Sequence, residues 1–252
     1  MGAQGVTKRE KVSKPAKAPD KASPAARKAV AGHKATVADH KSTQKSDREQ
    51  PYHHGDLHGA LLKAAKRVAE RDGINGLTLR AVAREAGVSH AAPAHHFGDV
   101  SGLLSELAAI GFGRFSEALD AGAQAAGSSP DAQAEGRANA YVDFARENPC
   151  MFQLMFRAER LDHNRPALHQ AREKAFAKLA AIVSAKRHED VSTDHLTLAQ
   201  AADIARIWSM VHGFAMLRLD GRLRHILNTL PPGTTEEMLL GAMLKSDRPA
   251  EP

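Results

Sequence analysis

Residues 78–97 constrain the fold more than any other stretch of this chain. Thr78 can cap a short helix on which Leu79, Val82, Ala83 and Ala86 recur at i, i+3, i+4 and i+7. Gly87-Val88-Ser89 then breaks that helix. Gly87 permits the left-handed backbone a tight turn requires. Ser89 is a strong N-cap residue for a third helix, predicted from His90 to about Phe97. Pro93 falls in its first turn, where the missing N–H and the ring clash cost least. Ahead of this pair a longer helix is predicted from near Tyr52. Leu57, Leu61, Ala65, Val68 and Ala69 form its apolar stripe, with Lys63, Lys66, Arg67 and Glu70 opposite. Asp56 is placed to cap its start and Gly73 to end it. Two short helices joined by a glycine turn behind a supporting helix make a helix-turn-helix. Val88, Pro93 and Phe97 can anchor one side of the third helix, which turns His90, Ala91, Ala94 and His95 outward. Small side chains there let a helix approach base edges in a major groove.

The remainder also reads as helical. Stretches at about 101–121, 131–148, 151–160, 166–187, 196–219 and 234–245 carry apolar residues at helical spacing. Gly127-Ser128-Ser129-Pro130, Asn148-Pro149 and Pro231-Pro232-Gly233 punctuate them. The expected fold is all-α, with about nine helices. The expected organisation is a basic tail at 1–50, a helix-turn-helix domain at 51–100, a further helical domain at 101–246, and a short tail at 247–252.

Charge is distributed unevenly. The formal net charge is +6, yet residues 1–50 hold nine Lys and three Arg against five acids. Nearly all the basic character therefore sits in that segment. It has too few large apolar residues to offset its ordering entropy and reads as disordered. It is either an electrostatic tether that raises non-specific DNA affinity or a solubilising leader. The single cysteine, Cys150, excludes an internal disulfide and a cysteine-rich zinc site and reads as a small buried residue. No apolar run reaches the ~20 residues that span a bilayer, and a soluble cytoplasmic protein is expected. There is no Gly-rich phosphate loop, nucleophile elbow or metal cluster with a carboxylate. No enzyme, cofactor or metal site is expected. A helical enzyme and a sequence-independent DNA-compacting protein acting through the tail remain the rival readings.

The run Thr78-Leu79-Arg80-Ala81-Val82-Ala83-Arg84-Glu85-Ala86-Gly87-Val88-Ser89, followed by Pro93 and His96-Phe97, resembles the DNA-binding domain of the tetracycline-repressor family. Tyr52-His53-His54-Gly55-Asp56-Leu57 is similar to the entry of that domain. Glu147-Asn148-Pro149 with Phe152, Leu154, Met155 and Phe156, and Trp208 with Val211-His212-Gly213, resemble a branch with a Trp-His-Gly C-terminal domain. The resemblance implies a bacterial, dimeric, ligand-responsive regulator, usually a repressor, with 101–246 as its ligand-binding and dimerisation domain. Thr78, Arg80, Ser89, His90, Ala91, His95 and His96 would then lie at or near an operator in double-stranded DNA. Two positions depart from the family pattern: Ala94 where a phosphate-touching Tyr is usual, and Val100 where a Lys is usual. Two phosphate contacts per subunit would be lost, which the basic tail could offset. His53, His54, His58, His90, His95 and His96 cluster in the same region. They read as polar contacts of neutral imidazoles or as a pH-tuned face.

In the C-terminal half, Phe152, Met155, Phe156, Phe176, Met210, Phe214 and Met216 could line an apolar pocket or be plain core. Trp208 and His212, four apart, are candidates for the same pocket and read as buried rings that need hydrogen-bond partners. Ile204, Ile207, Val211 and Phe214 on one late helix and Met238, Leu239, Ala242 and Met243 on the last are expected to pair across a two-fold axis. A small, largely apolar effector would change the spacing of the two reading heads.

Overall fold

The computed structural model describes residues 56–246. The expectations for the basic tail, for the entry around Tyr52, for His53 and His54, and for the last residues lie outside that range. Among the described residues there are ten α-helices and no strand. In order they are α1 (Leu57–Asp72), α2 (Leu79–Ala86), α3 (Ala92–Phe97), α4 (Val100–Ala125), α5 (Pro130–Glu147), α6 (Pro149–Met155), α7 (Pro166–Arg187), α8 (Leu198–Leu219), α9 (Leu223–Leu227) and α10 (Glu236–Ser246). Two short 3-10 turns, Ile74–Gly76 and Ala158–Arg160, complete the set. The sequence pattern accounts for all but α9, a five-residue turn too short to show a periodicity. None of these helices is long and apolar enough to cross a membrane.

The helix starts follow from local chemistry. Asp56 accepts from the Gly59 N–H at 2.8 Å, Thr78 from Ala81 at 3.1 Å, Asp99 from Gly102 at 2.8 Å and Ser129 from Ala132 at 3.2 Å. Thr197 and Gln200 form a reciprocal capping box on α8. Each such cap stabilises its helix by about 1 kcal/mol.

One apolar core runs through the three-helix head and into the body. Leu61, Ala64, Ala65 and Val68 of α1 meet Val82 of α2, Phe97 of α3 and Leu103, Leu104 and Leu107 of α4, all fully buried or nearly so. Beyond the head, α4 packs along α5 and α7, and α5 packs along α8. The α4–α5 crossing is close because it is made of glycine. A Cβ on Gly122 would stand 2.6 Å from the Gly136 carbonyl oxygen, so neither position has room for a side chain.

Candidate functional site

The head is a helix-turn-helix. Gly87 ends α2 in the left-handed region, at φ 69° and ψ 30°. The N–H of Val88 bonds back to the Ala83 carbonyl at 3.0 Å, which satisfies an end-of-helix acceptor and sets the direction of the turn. The third helix begins later than the sequence suggests. Ser89 does not cap it with its side chain; instead its carbonyl accepts from Ala92 N–H at 3.1 Å, and α3 starts at Ala92. His90 and Ala91 therefore lie in the turn. Pro93 explains the shift: it has no N–H to give the Ser89 carbonyl in the i→i−4 pattern, and that carbonyl takes the Ala92 N–H instead.

The division into two sides is as expected. Pro93 and Phe97 are buried and Val88 is half-buried. Thr78, Arg80, Ser89, His90, Ala91, Ala94 and His95 are each exposed, on or beside α2, in the turn and on α3. His96 differs: it is half-buried, with its ring edge-on to His58 at 5.9 Å. Val100 is half-buried against the core at the first turn of α4. Behind the face, Glu85 is held by Arg67 at 2.7 Å and Arg71 at 2.8 Å, which ties α2 to α1. Hydrogen bonds from these two guanidinium groups keep the Glu85 carboxyl below the usual carboxylate range.

The C-terminal end of α3 is joined to the body by side chains that no sequence pattern marks. His58 Nε2 lies 2.7 Å from one oxygen of Glu106, and the other accepts from Arg165 Nη1 at 3.0 Å. Arg165 also donates to the carbonyl of Phe97, the last residue of α3. Arg165 is the residue immediately before α7.

α7 in turn walls a cavity of about 740 Å³ enclosed mainly by α4, α5, α7 and α8. Of the residues expected there, Met155, Phe156, Phe176, Trp208, Met210 and His212 line it, and Phe214 and Met216 do not. Nor does Phe152. It is fully buried behind the wall, its ring stacked on that of His212 at 5.5 Å, so it supports the site as core. Trp208 is not the buried ring the sequence suggests, for it is 41% exposed while still lining the cavity. Sequence reasoning missed Phe112, Phe115, Arg137 and Tyr141 in the wall. Tyr141 lies 2.9 Å from His212 Nδ1 and packs edge-on against Phe115 at 4.8 Å. Burial pushes the Tyr141 phenol well above its ordinary value, with the Trp208 side chain opposing this as a hydrogen-bond partner. Burial also lowers His212, which favours the neutral imidazole. Cys150 donates to the Ala69 carbonyl at 3.1 Å, and burial raises its thiol, the environment of a structural cysteine. Among the described residues no group of three or more side chains could hold a metal ion.

The faces that carry the late-helix expectation are arranged differently. Ile204, Ile207, Val211 and Phe214 are buried within the chain against α5 and α7, so this side of α8 is not free for a partner. The outward side of α8 presents Ala202, Ala205, Ser209 and Leu217. On α10, Met238 is 60% exposed and Ala242 is exposed, while Leu239 and Met243 are half-buried.

The sequence matches two family models. One, described as bacterial regulatory proteins of the tetR family, covers residues 61–107. The other, a tetracyclin repressor-like C-terminal domain, covers residues 135–239 and does not by its description specify the Trp-His-Gly branch. Together they span more than half of the chain. The chain is 31% identical over 90 residues to the uncharacterized HTH-type transcriptional regulator YobS of Bacillus subtilis (strain 168). That match spans 35% of this chain and 46% of the relative, under half its length. A solved structure of a protein of unknown function from Rhodococcus sp. RHA1 is 33% identical, covers 79% of this chain and 96% of its own, and superposes with a TM-score of 0.63. The protein designated SCO4313 superposes with a TM-score of 0.58 at 19% identity over 76% of this chain and 94% of its own, a likeness of fold alone. With a helix-turn-helix head and a cavity-bearing helical body both matched, the chain belongs to the tetR family of bacterial regulatory proteins and carries a tetracyclin repressor-like C-terminal domain.

Proposed function

We propose that the protein is a repressor that binds a near-palindromic operator as a homodimer and is released when a small, largely apolar molecule enters the cavity. The observation that carries this reading is the bond from Arg165 to the Phe97 carbonyl. It ties the start of a cavity wall to the end of the helix that would read DNA. An occupant that moves α7 then has a direct hold on α3, provided it binds one arrangement better than the other.

In this reading Thr78, Arg80, Ser89, His90, Ala91 and His95 face the operator, with His96 at the edge of the contact. The small side chains of Ala91 and Ala94 allow close approach to the groove. The dimer would form across the outward side of α8 and α10, not across the isoleucine face. Ala202, Ala205, Ser209 and Gly213 offer small side chains for close helix packing, flanked by the exposed Leu217 and Met238. At Gly213 an added Cβ would meet nothing within 4 Å, which leaves space for a partner helix. A cytoplasmic location, nucleoid-associated when DNA is bound, fits this role.

The test is selection of bound DNA from a random pool with the full chain and with the chain lacking residues 1–50. Enrichment of the same near-palindrome by both supports the reading. Binding without sequence preference that disappears on truncation would instead favour a DNA-compacting role for the Lys-rich tail.

A further inference from the structure

We infer that the effector is an apolar carboxylate and that Arg137 holds its acid group. This rests on reading the cavity as an effector site. Arg137 projects from α5 one turn before Tyr141 and lines the cavity. Its Nε is buried and has no hydrogen-bond partner. Native proteins rarely leave a buried donor unmatched, because the group has given up water and gained nothing.

The other cations on the wall have different circumstances. Lys178 lies 2.7 Å from the Asp120 carboxylate, Arg172 lies 2.8 Å from His163 Nδ1, and Lys186 is exposed at the rim. The wall's acid, Glu173, lies 3.2 Å from His169. Arg137 is therefore the cation with a buried nitrogen for which the wall supplies no acceptor.

A guanidinium presents a planar fork of donors that matches a carboxylate in two parallel bonds. Around it the wall is apolar, with Ala134, Ala138, Phe115 and Leu119 among its members. Weak screening in such surroundings strengthens the pairing. A neutral apolar guest would cover Arg137 further and satisfy nothing, so the same group selects against it. The volume of about 740 Å³ leaves room for a hydrocarbon or aromatic body behind the acid group.

Trp208 is the one tryptophan of the chain and lines the cavity, so its fluorescence reports occupancy. The full chain is titrated with octanoate, dodecanoate, hexadecanoate and phenylbutyrate, and with the matching primary alcohols. At least one acid is expected to shift the emission saturably and to bind about tenfold or more tighter than its own alcohol. Arg137→Gln is expected to erase that preference, with acid binding weakened and alcohol binding equal or tighter, and Arg137→Lys to keep part of it. Equal binding of acid and alcohol by the wild-type chain would overturn the carboxylate assignment and leave the apolar cavity reading intact. Binding by none of the probes would overturn both. If Arg137→Gln does not fold, the wild-type ratio of acid to alcohol decides the question.

Discussion

Arg165 and Glu106 meet at 3.0 Å where α7 begins beside α4, and the same guanidinium reaches the Phe97 carbonyl at the end of α3. Neither side chain of the pair is more than 29% exposed, so solvent screens the contact only in part. Removing Arg165 leaves the partly buried Glu106 with His58 alone and takes the side-chain donor from the Phe97 carbonyl. Arg165→Ala is expected to cost about 1–3 kcal/mol of stability in urea denaturation. It should also loosen α3, weakening operator binding in fluorescence anisotropy while ligand affinity measured through Trp208 stays the same. Loss of both affinities in parallel would reduce Arg165 to a purely structural role.

The α4–α5 crossing makes a paired prediction. A side chain at Gly136 would press on the α4 backbone, with Ala126 Cβ at 2.7 Å. Gly136→Ala is expected to destabilise by about 1–3 kcal/mol. Gly113, in the middle of α4, has nothing within 4 Å of an added Cβ. Gly113→Ala should stabilise by about 0.5–1 kcal/mol through helix propensity alone. Thermal melts of the two variants should move in opposite directions.

His212 makes the fold acid-sensitive in a defined window. Burial lowers its pKa in the folded chain, while the unfolded value is about 6.5. Below that value the unfolded chain binds a proton that the folded chain resists. Stability therefore falls as pH drops from about 6.5 toward the depressed folded value, and is flat above it. His212→Gln, which keeps a hydrogen-bonding side chain beside Tyr141, should remove this component. Subtracting the variant's stability-against-pH curve from the wild-type curve isolates it.

The outer edge of the reading face invites a gain of function. Val100 stands at the first position of α4, half-buried, where the family resemblance leads one to expect Lys. Val100→Lys can keep its alkyl stem on the core and send the ammonium outward. One new phosphate contact per subunit should steepen the plot of log affinity against log salt by about 0.9 for each site contacted. An unchanged slope would place Val100 away from the DNA backbone.

How much of this was legible in the sequence depended on whether the signal was local. Asp56, Thr78 and Gly87 act within four residues of themselves, and each does what its chemistry predicts. The start of α3 was misplaced because Ser89 is as good a turn residue as a cap, and only Pro93 tips the balance. The apolar side of α8 was visible, but periodicity does not say whether α5 and α7 or a second copy covers it. Trp208 and His212 share a face by spacing, yet one is 41% exposed and the other half-buried, because Phe152 and Tyr141 pack against His212. Glu106, Arg137 and Arg165 could not be found at all. The partners that join Glu106 and Arg165 to the head lie 48 or more residues away, Arg137 Nε has none, and charged residues on helices are usually solvated.

In the proposed function the exposed residues of α2, the turn and α3 read DNA sequence. The most direct measurement compares wild-type, Arg80→Ala and His95→Ala chains on the selected operator and on a scrambled duplex of equal length, at one salt concentration. At least one substitution is expected to lower operator affinity by about 1–3 kcal/mol, while affinity for the scrambled duplex changes little. Operator affinity unchanged in both variants, or lost equally on both duplexes, would contradict it.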